Sequence, residues 1–183
     1  FNISATDPDG TLPTFSGANI PLNASLINNG NGTATFTFDP SYVQSTNYLI
    51  TFIATDGALA DSEVVTITVI DAGNQRPVLA PIGPKATSEG TLLSFVISAS
   101  DADQTSPAFI AFGLPANSSL SDHGNGTATF SFTPNYSQAA IYSVIFVAFD
   151  GSLADSETVV ITVANTNRAP VLASIGPKTV AEG

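Results

Sequence analysis

The sequence predicts an all-β protein built as tandem β-sandwiches with about seven strands per repeat. Three observations carry that prediction. A block of about 93 residues occurs twice, its apolar residues alternate with period two, and Gly, Pro, Asn and Asp clusters separate the alternating runs.

The repeat sets the frame. "SATDPDG" (4–10) returns as "SASDADQ" (98–104), "NGNGTATFTF" (29–38) as "HGNGTATFSF" (123–132), and "ATDGALADSE" (54–63) as "AFDGSLADSE" (148–157). "PVLAPIGPK" (77–85) returns as "PVLASIGPK" (170–178). On this frame residues 74–166 form a complete repeat. Residues 1–73 form a repeat expected to lack its first strand, because Phe1 aligns with Phe95. Residues 167–183 read as the first strand of a following repeat, contributed along a continuous chain or donated to a neighbouring molecule.

Each strand has its own pattern. The opening strand is bracketed by Arg76 and Lys85, and its second copy by Arg168 and Lys178. These four residues are the only cations. They suit either docking against acidic neighbours or protection of a sheet edge from wrong pairing. Leu93, Phe95, Ile97 and Ala99 share one strand face, matched by Phe1, Ile3 and Ala5. Phe15, Phe109 and Phe112 read as core residues in or beside the third strand. "NNGNG" and "DHGNG" are hairpin signals, since Gly and Asn tolerate positive φ. Ala128, Phe130 and Phe132 follow on one face, then Tyr142, Val144, Phe146 and Ala148, then Val159, Ile161 and Val163.

Composition narrows the function. The net charge is −11, with 15 acidic and four basic residues. Such a chain has no electrostatic footprint for nucleic acid or anionic lipid. Cysteine is absent, so there is no disulfide framework. No run of about 18 apolar residues reads as a membrane span. His123 is the one histidine, and its counterpart in the first copy is Asn29. No nucleophile–base pair can be assembled, and enzymatic activity is not expected.

Acidic residues recur at strand ends. Asp7 and Asp9, and again Asp101 and Asp103, form D-x-D pairs whose carboxylates point the same way on an extended segment. Asp56 and Asp150 precede Gly late in each copy, Glu89 and Glu182 precede Gly in the opening strand, and Asp71, Asn74, Asn165 and Asn167 lie in the links. Oxygen donors of this kind suit Ca²⁺. Solvated turns between strands use the same residues.

Two resemblances can now be named. Tyr48 and Tyr142 stand two residues before the inward aliphatics Ile50 and Val144. This resembles the tyrosine corner of immunoglobulin-like domains; an ordinary half-buried strand tyrosine is the alternative. The whole chain, through "RPVLAPIGPKATSEG", "FVISASDAD", "IYSVIFVAFDG" and "VVITV", resembles the bacterial cadherin-like or immunoglobulin-like tandem repeats of surface proteins. That resemblance implies calcium at a joint between repeats. The implied ligands are Glu89, Asp101, Asp103 and Asp150, with Asp71 and Asn74 from the link, and Asp7, Asp9, Asp56, Asn165, Asn167 and Glu182 at the equivalent places. The links depart from the cadherin pattern: "NTNRAP" has no acid.

The expected function is that of a structural repeat unit in an extracellular filament or adhesin stalk at a bacterial cell surface. Copies would join head-to-tail through an assembly strand containing Arg168, Pro170, Val171, Leu172, Ile175, Lys178 and Val180. The alternative is a surface binding module that recognises glycan or protein through its loops. The absence of Trp weighs against a carbohydrate platform.

Overall fold

Strand pairing sorts the chain into four sheets and fourteen strands, with no helix. The computed structural model describes all 183 residues. No helix is long and apolar enough to cross a membrane. The chain divides into two compact units. One is Phe1–Val78 with Ala99–Ala108 and Ala148–Asp155; the other is Leu79–Ser98, Phe109–Val147 and Ser156–Gly183.

The first set of strands is β1 (Asn2–Ser4), β2 (Thr14–Ala18), β3 (Ala24–Asn28), β4 (Thr33–Phe38), β5 (Asn47–Thr55) and β6 (Ala60–Thr68). They form sheets of order β1-β4-β3 and β2-β5-β6. The "NNGNG" stretch closes the β3–β4 hairpin, where Asn28 faces Ala34 and the Asn29 N–H donates to the Thr33 carbonyl at 2.9 Å. Gly30 and Gly32 both take positive φ there, a conformation other residues reach only with strain. Phe36, Ile50 and Phe52 form the core, with Ile3, Leu26, Phe38, Tyr48, Val65 and Ile67 packed against it from both sheets.

The second set is β7 (Val78–Leu79), β8 (Lys85–Ser88), β9 (Leu93–Ser100), β10 (Ala108–Phe112), β11 (Ser118–Asp122), β12 (Thr127–Phe132), β13 (Ile141–Phe149) and β14 (Ala154–Ala164). Its sheets have the order β11-β12-β9-β7 and β10-β13-β14-β8. In chain order this is D-E-B-A and C-F-G-A′, the immunoglobulin-like arrangement with the opening strand shared between both sheets. Eight strands appear where about seven were expected. "PIGP" (81–84) breaks the opening strand, because Pro cannot donate to a ladder. Its first half pairs with β9, and its second half crosses to run parallel beside β14, with Ile161 opposite Lys85 and Ala164 opposite Ser88.

Period-two alternation holds in the buried faces. Ala128, Phe130, Phe132, Val144, Phe146, Ala148, Val159, Ile161 and Val163 are all buried. Phe95, Phe130 and Phe146 meet across the two sheets with ring centroids 5.1–5.9 Å apart. Phe112 corrects one expectation. It is 56% exposed, because alternation along β10 gives the inward position to Phe109 instead.

Both tyrosine corners are present. The Tyr142 hydroxyl donates to the Gln138 carbonyl at 2.9 Å, and Tyr48 to Gln44 at 3.1 Å. Val144 and Ile50, two residues on, are fully buried. The chain is therefore built from immunoglobulin-like β-sandwiches.

Candidate functional site

The acidic strand ends are turn caps. Asp56 accepts from the Ala58 and Leu59 N–H groups, both at 2.7 Å; Asp150 accepts from Ser152 at 2.7 Å and Leu153 at 2.8 Å. Strands ending in Asp-Gly fold this way because a short carboxylate reaches the amides two and three residues ahead. The Leu59 amide, then Ala58, holds the Asp56 carboxyl below its ordinary value. Leu153, then Ser152 and the Asn74 side chain, do the same for Asp150. Asp122 is lowered chiefly by the Gly124 amide, against the cost of desolvation.

The D-x-D pairs behave alike. Asp7 accepts from the Asp9 N–H at 2.9 Å, and Asp101 from the Asp103 N–H at 2.8 Å. The link joins this group: the Asn74 amide donates to Asp150 at 2.9 Å, and the Gln75 N–H donates to Asp103. Asp71 caps its own turn through the Gly73 N–H. In both copies the second oxygen of the first D-x-D carboxylate, Oδ2 of Asp7 and of Asp101, is buried without a hydrogen-bond partner.

The calcium set implied by the cadherin resemblance is not assembled. No three acidic or histidine side chains converge on a point that could hold a metal ion. Glu89 lies apart from Asp101, Asp103 and Asp150. It follows β8 beside Ala164, at the end of β14, whereas Asp150 precedes the start of that strand. Glu89 is 3% exposed, and its two oxygens accept from the Ala139 and Thr166 N–H groups, both at 2.9 Å. It is a buried clamp across the end of the sandwich. Asp9, Asn165, Asn167 and Glu182 are exposed.

Two clamps were not singled out in the sequence. Glu157 accepts from the Ile82 and Gly83 N–H groups at 2.7 and 2.8 Å, fixing the crossing segment of the opening strand. Gln138 accepts from the Asn117 amide and the Asn135 N–H and donates to the Ala116 carbonyl; Gln44 makes the same three bonds with Asn23, Ser41 and Leu22. Identity between the copies at these positions is the signal that could have found them.

The assembly segment forms no strand. Arg168, Pro170, Val171, Leu172, Ile175, Lys178 and Val180 are all exposed, with Val171 at 92% and Val180 at 93%. The Arg168 guanidinium stacks 4.2 Å over the Tyr136 ring.

The first sandwich has an open side. A cavity of about 560 Å³ is lined by Ile3, Phe52 and Val65 together with Asp7, Asp56 and Glu63. A second, of about 730 Å³, is lined by Phe1, Phe36, Phe38, Pro40, Ile67 and Val69. Val65, Ile67 and Val69 are half-buried, while their counterparts Val159, Ile161 and Val163 are fully buried.

No family model matches the chain. Among curated proteins, integrin beta-like protein E of Dictyostelium discoideum is 28% identical over a 221-residue alignment. The match takes in 98% of this chain, which spans 11% of that protein's length. Among solved structures, the endo-fucoidan hydrolase MfFcnA4 of glycoside hydrolase family 107 has a TM-score of 0.45 at 19% identity, covering 87% of this chain and 24% of that one. A chimeric titin Z1Z2 tandem has a TM-score of 0.41 at 13% identity, covering 88% of each chain. The fold assignment rests on the strand order and the tyrosine corners, not on these likenesses.

Proposed function

We propose that the chain is a structural repeat unit of an extracellular, cell-surface filament or adhesin stalk, of the bacterial cadherin-like and immunoglobulin-like tandem type. Copies lie in series head-to-tail, and the role is mechanical, not catalytic. The observation that carries this reading is where the polar residues shared by both copies go. Asp56 and Asp150, and Gln44 and Gln138, make the same bonds to turn-closing backbone groups in both copies, and Glu89 and Glu157 clamp the strands of the second sandwich. Repetition of a sandwich with repeated clamps supports a spacer that holds its shape under tension. The likeness to an integrin beta-like protein supports a surface setting.

The test places one, two or four covalent copies between a surface anchor and a ligand-binding head. A spacer extends the reach of the head with copy number and tolerates substitutions at the exposed turns, such as Asn29→Ala and His123→Ala. A chain that itself binds cells or glycans, and loses that binding on these substitutions, is the loop-recognition module instead.

Calcium enters this proposal only at the D-x-D turns. The buried, unpartnered Oδ2 atoms of Asp7 and Asp101, at equivalent places in both copies, favour a cation there. Backbone carbonyls and water would complete its six to eight oxygens. Millimolar calcium is then expected to raise the melting temperature by several degrees, with the rise lost in EDTA and in Asp7→Asn/Asp101→Asn. Superimposable melts with calcium and with EDTA remove calcium from the reading.

A further inference from the structure

The two outer faces of the second sandwich differ in kind. On β9, β11 and β12 the side chains that point away from the core include Ser94, Ser98, Ser119, Ser121, Thr129 and Ser131, and Val96 is the one large apolar residue among those positions. On the opposite sheet they include Ile110 and Phe112 of β10, Ile141, Ile145 and Val147 of β13, and Val160 of β14. All of these but Val147 are 40 to 71% exposed. In the first sandwich Ala18 faces Thr51, Ser16 faces Ile53 and Thr66 faces Leu49. The equivalent register sets Phe112 beside Ile145, Ile110 beside Val147, and Val160 one diagonal step from Ile145. The exposed side chains are therefore neighbours in one apolar patch.

The fold does not require this patch. At the places of Ile110, Phe112, Ile145 and Val160 the first sandwich carries Ser16, Ala18, Thr51 and Thr66, although Leu49 and Val64 are exposed on its face. Charge says what the patch suits. No charged side chain stands at an outward position of β8, β10, β13 or β14, whereas the chain as a whole carries −11. Two such chains repel least where neither presents an acid, and a charged partner would find no counter-charge here. Size agrees with a reversible contact. Four strands about 4.8 Å apart, over about eight residues, span roughly 500 Å², and the roughly 1,000 Å² of a pair is that of a weak interface.

We propose that the outer face of the β10-β13-β14 sheet docks on the same face of a second copy of this chain, sheet against sheet about a two-fold axis, with Phe112 and Ile145 as its anchors. The contact is isologous, so an apolar, uncharged patch is its own complement. The copies meet by faces and not by edges. β10 is the edge strand of its sheet, and its Phe109 N–H donates to the Asp122 carboxylate at 3.0 Å. A carboxylate on that edge guards it against pairing with another strand. The pairing is lateral, so it goes beyond the in-series reading and does not depend on it.

Sedimentation velocity of the full chain over a concentration series tests this. A reversible monomer–dimer equilibrium is expected, with a dissociation constant on the order of 10–100 µM. The triple variant Ile110→Ser/Phe112→Ala/Val160→Thr places in the second sandwich the residues that the same fold already carries in the first. It should weaken dimerisation at least about tenfold. Phe112→Glu alone sets like charges near each other across the two-fold axis and should do the same. Ser119→Glu, on the hydroxyl-rich outer face, should leave the dimer unchanged. Added salt should leave it intact as well, because screening removes repulsion between the acidic chains and not the apolar contact. A chain that stays monomeric up to about 500 µM leaves this face to another partner and overturns the docking. A dimer unmoved by both face substitutions, or weakened as much by Ser119→Glu, would overturn it too.

Discussion

Tyr142 shows how one hydroxyl closes a corner. Its ring packs edge-on against Phe132 at 5.6 Å while its O–H reaches back to Gln138. Tyr142→Phe keeps the packing and leaves the Gln138 carbonyl without that donor. The expected cost is about 1 kcal/mol, read as a lowered denaturant midpoint with unchanged slope. The Asp turn caps govern acid behaviour. Asp56 and Asp150 have folded-state pKa values held below the usual carboxylate value by backbone amides. Their contribution is therefore complete above the unfolded value, near pH ~4, and is lost as pH falls through the lower folded value. Stability should be flat from neutral pH down to about 5 and decline below about 4. Asp150→Asn should flatten that decline, and an unchanged acid limb would show that the cap carries none of it.

At the scale of elements, the opening strand matters most. It begins on one sheet as β7 and finishes on the other as β8, and two glutamates hold it. Glu157 grips the crossing, and Glu89 ties its end to the turn before β13 and the segment after β14. Removing the Glu89 carboxylate leaves the Ala139 and Thr166 N–H groups without their acceptor. Glu89→Ala should cost about 2–4 kcal/mol, measured by urea unfolding, and Glu89→Gln, which keeps one acceptor, should cost less. A loss below about 0.5 kcal/mol would mean that water satisfies these amides as well as the carboxylate does.

For the whole molecule, two copies of one sequence pattern carry unequal cover. Ile161 is fully buried on β14, beside its in-sheet neighbour β8; Ile67, its counterpart, is half-buried beside an open cavity. Unfolding should therefore proceed in two transitions, with the first sandwich melting at the lower temperature. Ile161→Ala should shift the upper transition by about 2–4 kcal/mol, and Ile67→Ala should shift the lower one by less, because fewer contacts are lost. A single transition moved equally by both would mean that the two sandwiches unfold as one.

The fold class was legible because its signals are local. Alternation in Ala128–Phe132 and Tyr142–Ala148 dictates which side chains face inward, the Gly-rich stretch dictates the hairpin, and Tyr two residues before an aliphatic marks the corner. The D-x-D turns and their Asp-Gly partners were also visible as strand ends. What stayed hidden depends on which strand lies beside which. The place of Glu89, at the far end of β14 from Asp150, follows from the opening strand crossing between sheets after "PIGP". The exposure of Phe112 follows from the register of β10. The clamps Glu157 and Gln138 acquire their full roles only when groups 21 to 75 residues away arrive beside them. Sequence spacing records what neighbours along the chain must do; long-range pairing decides which groups are covered and which are left open.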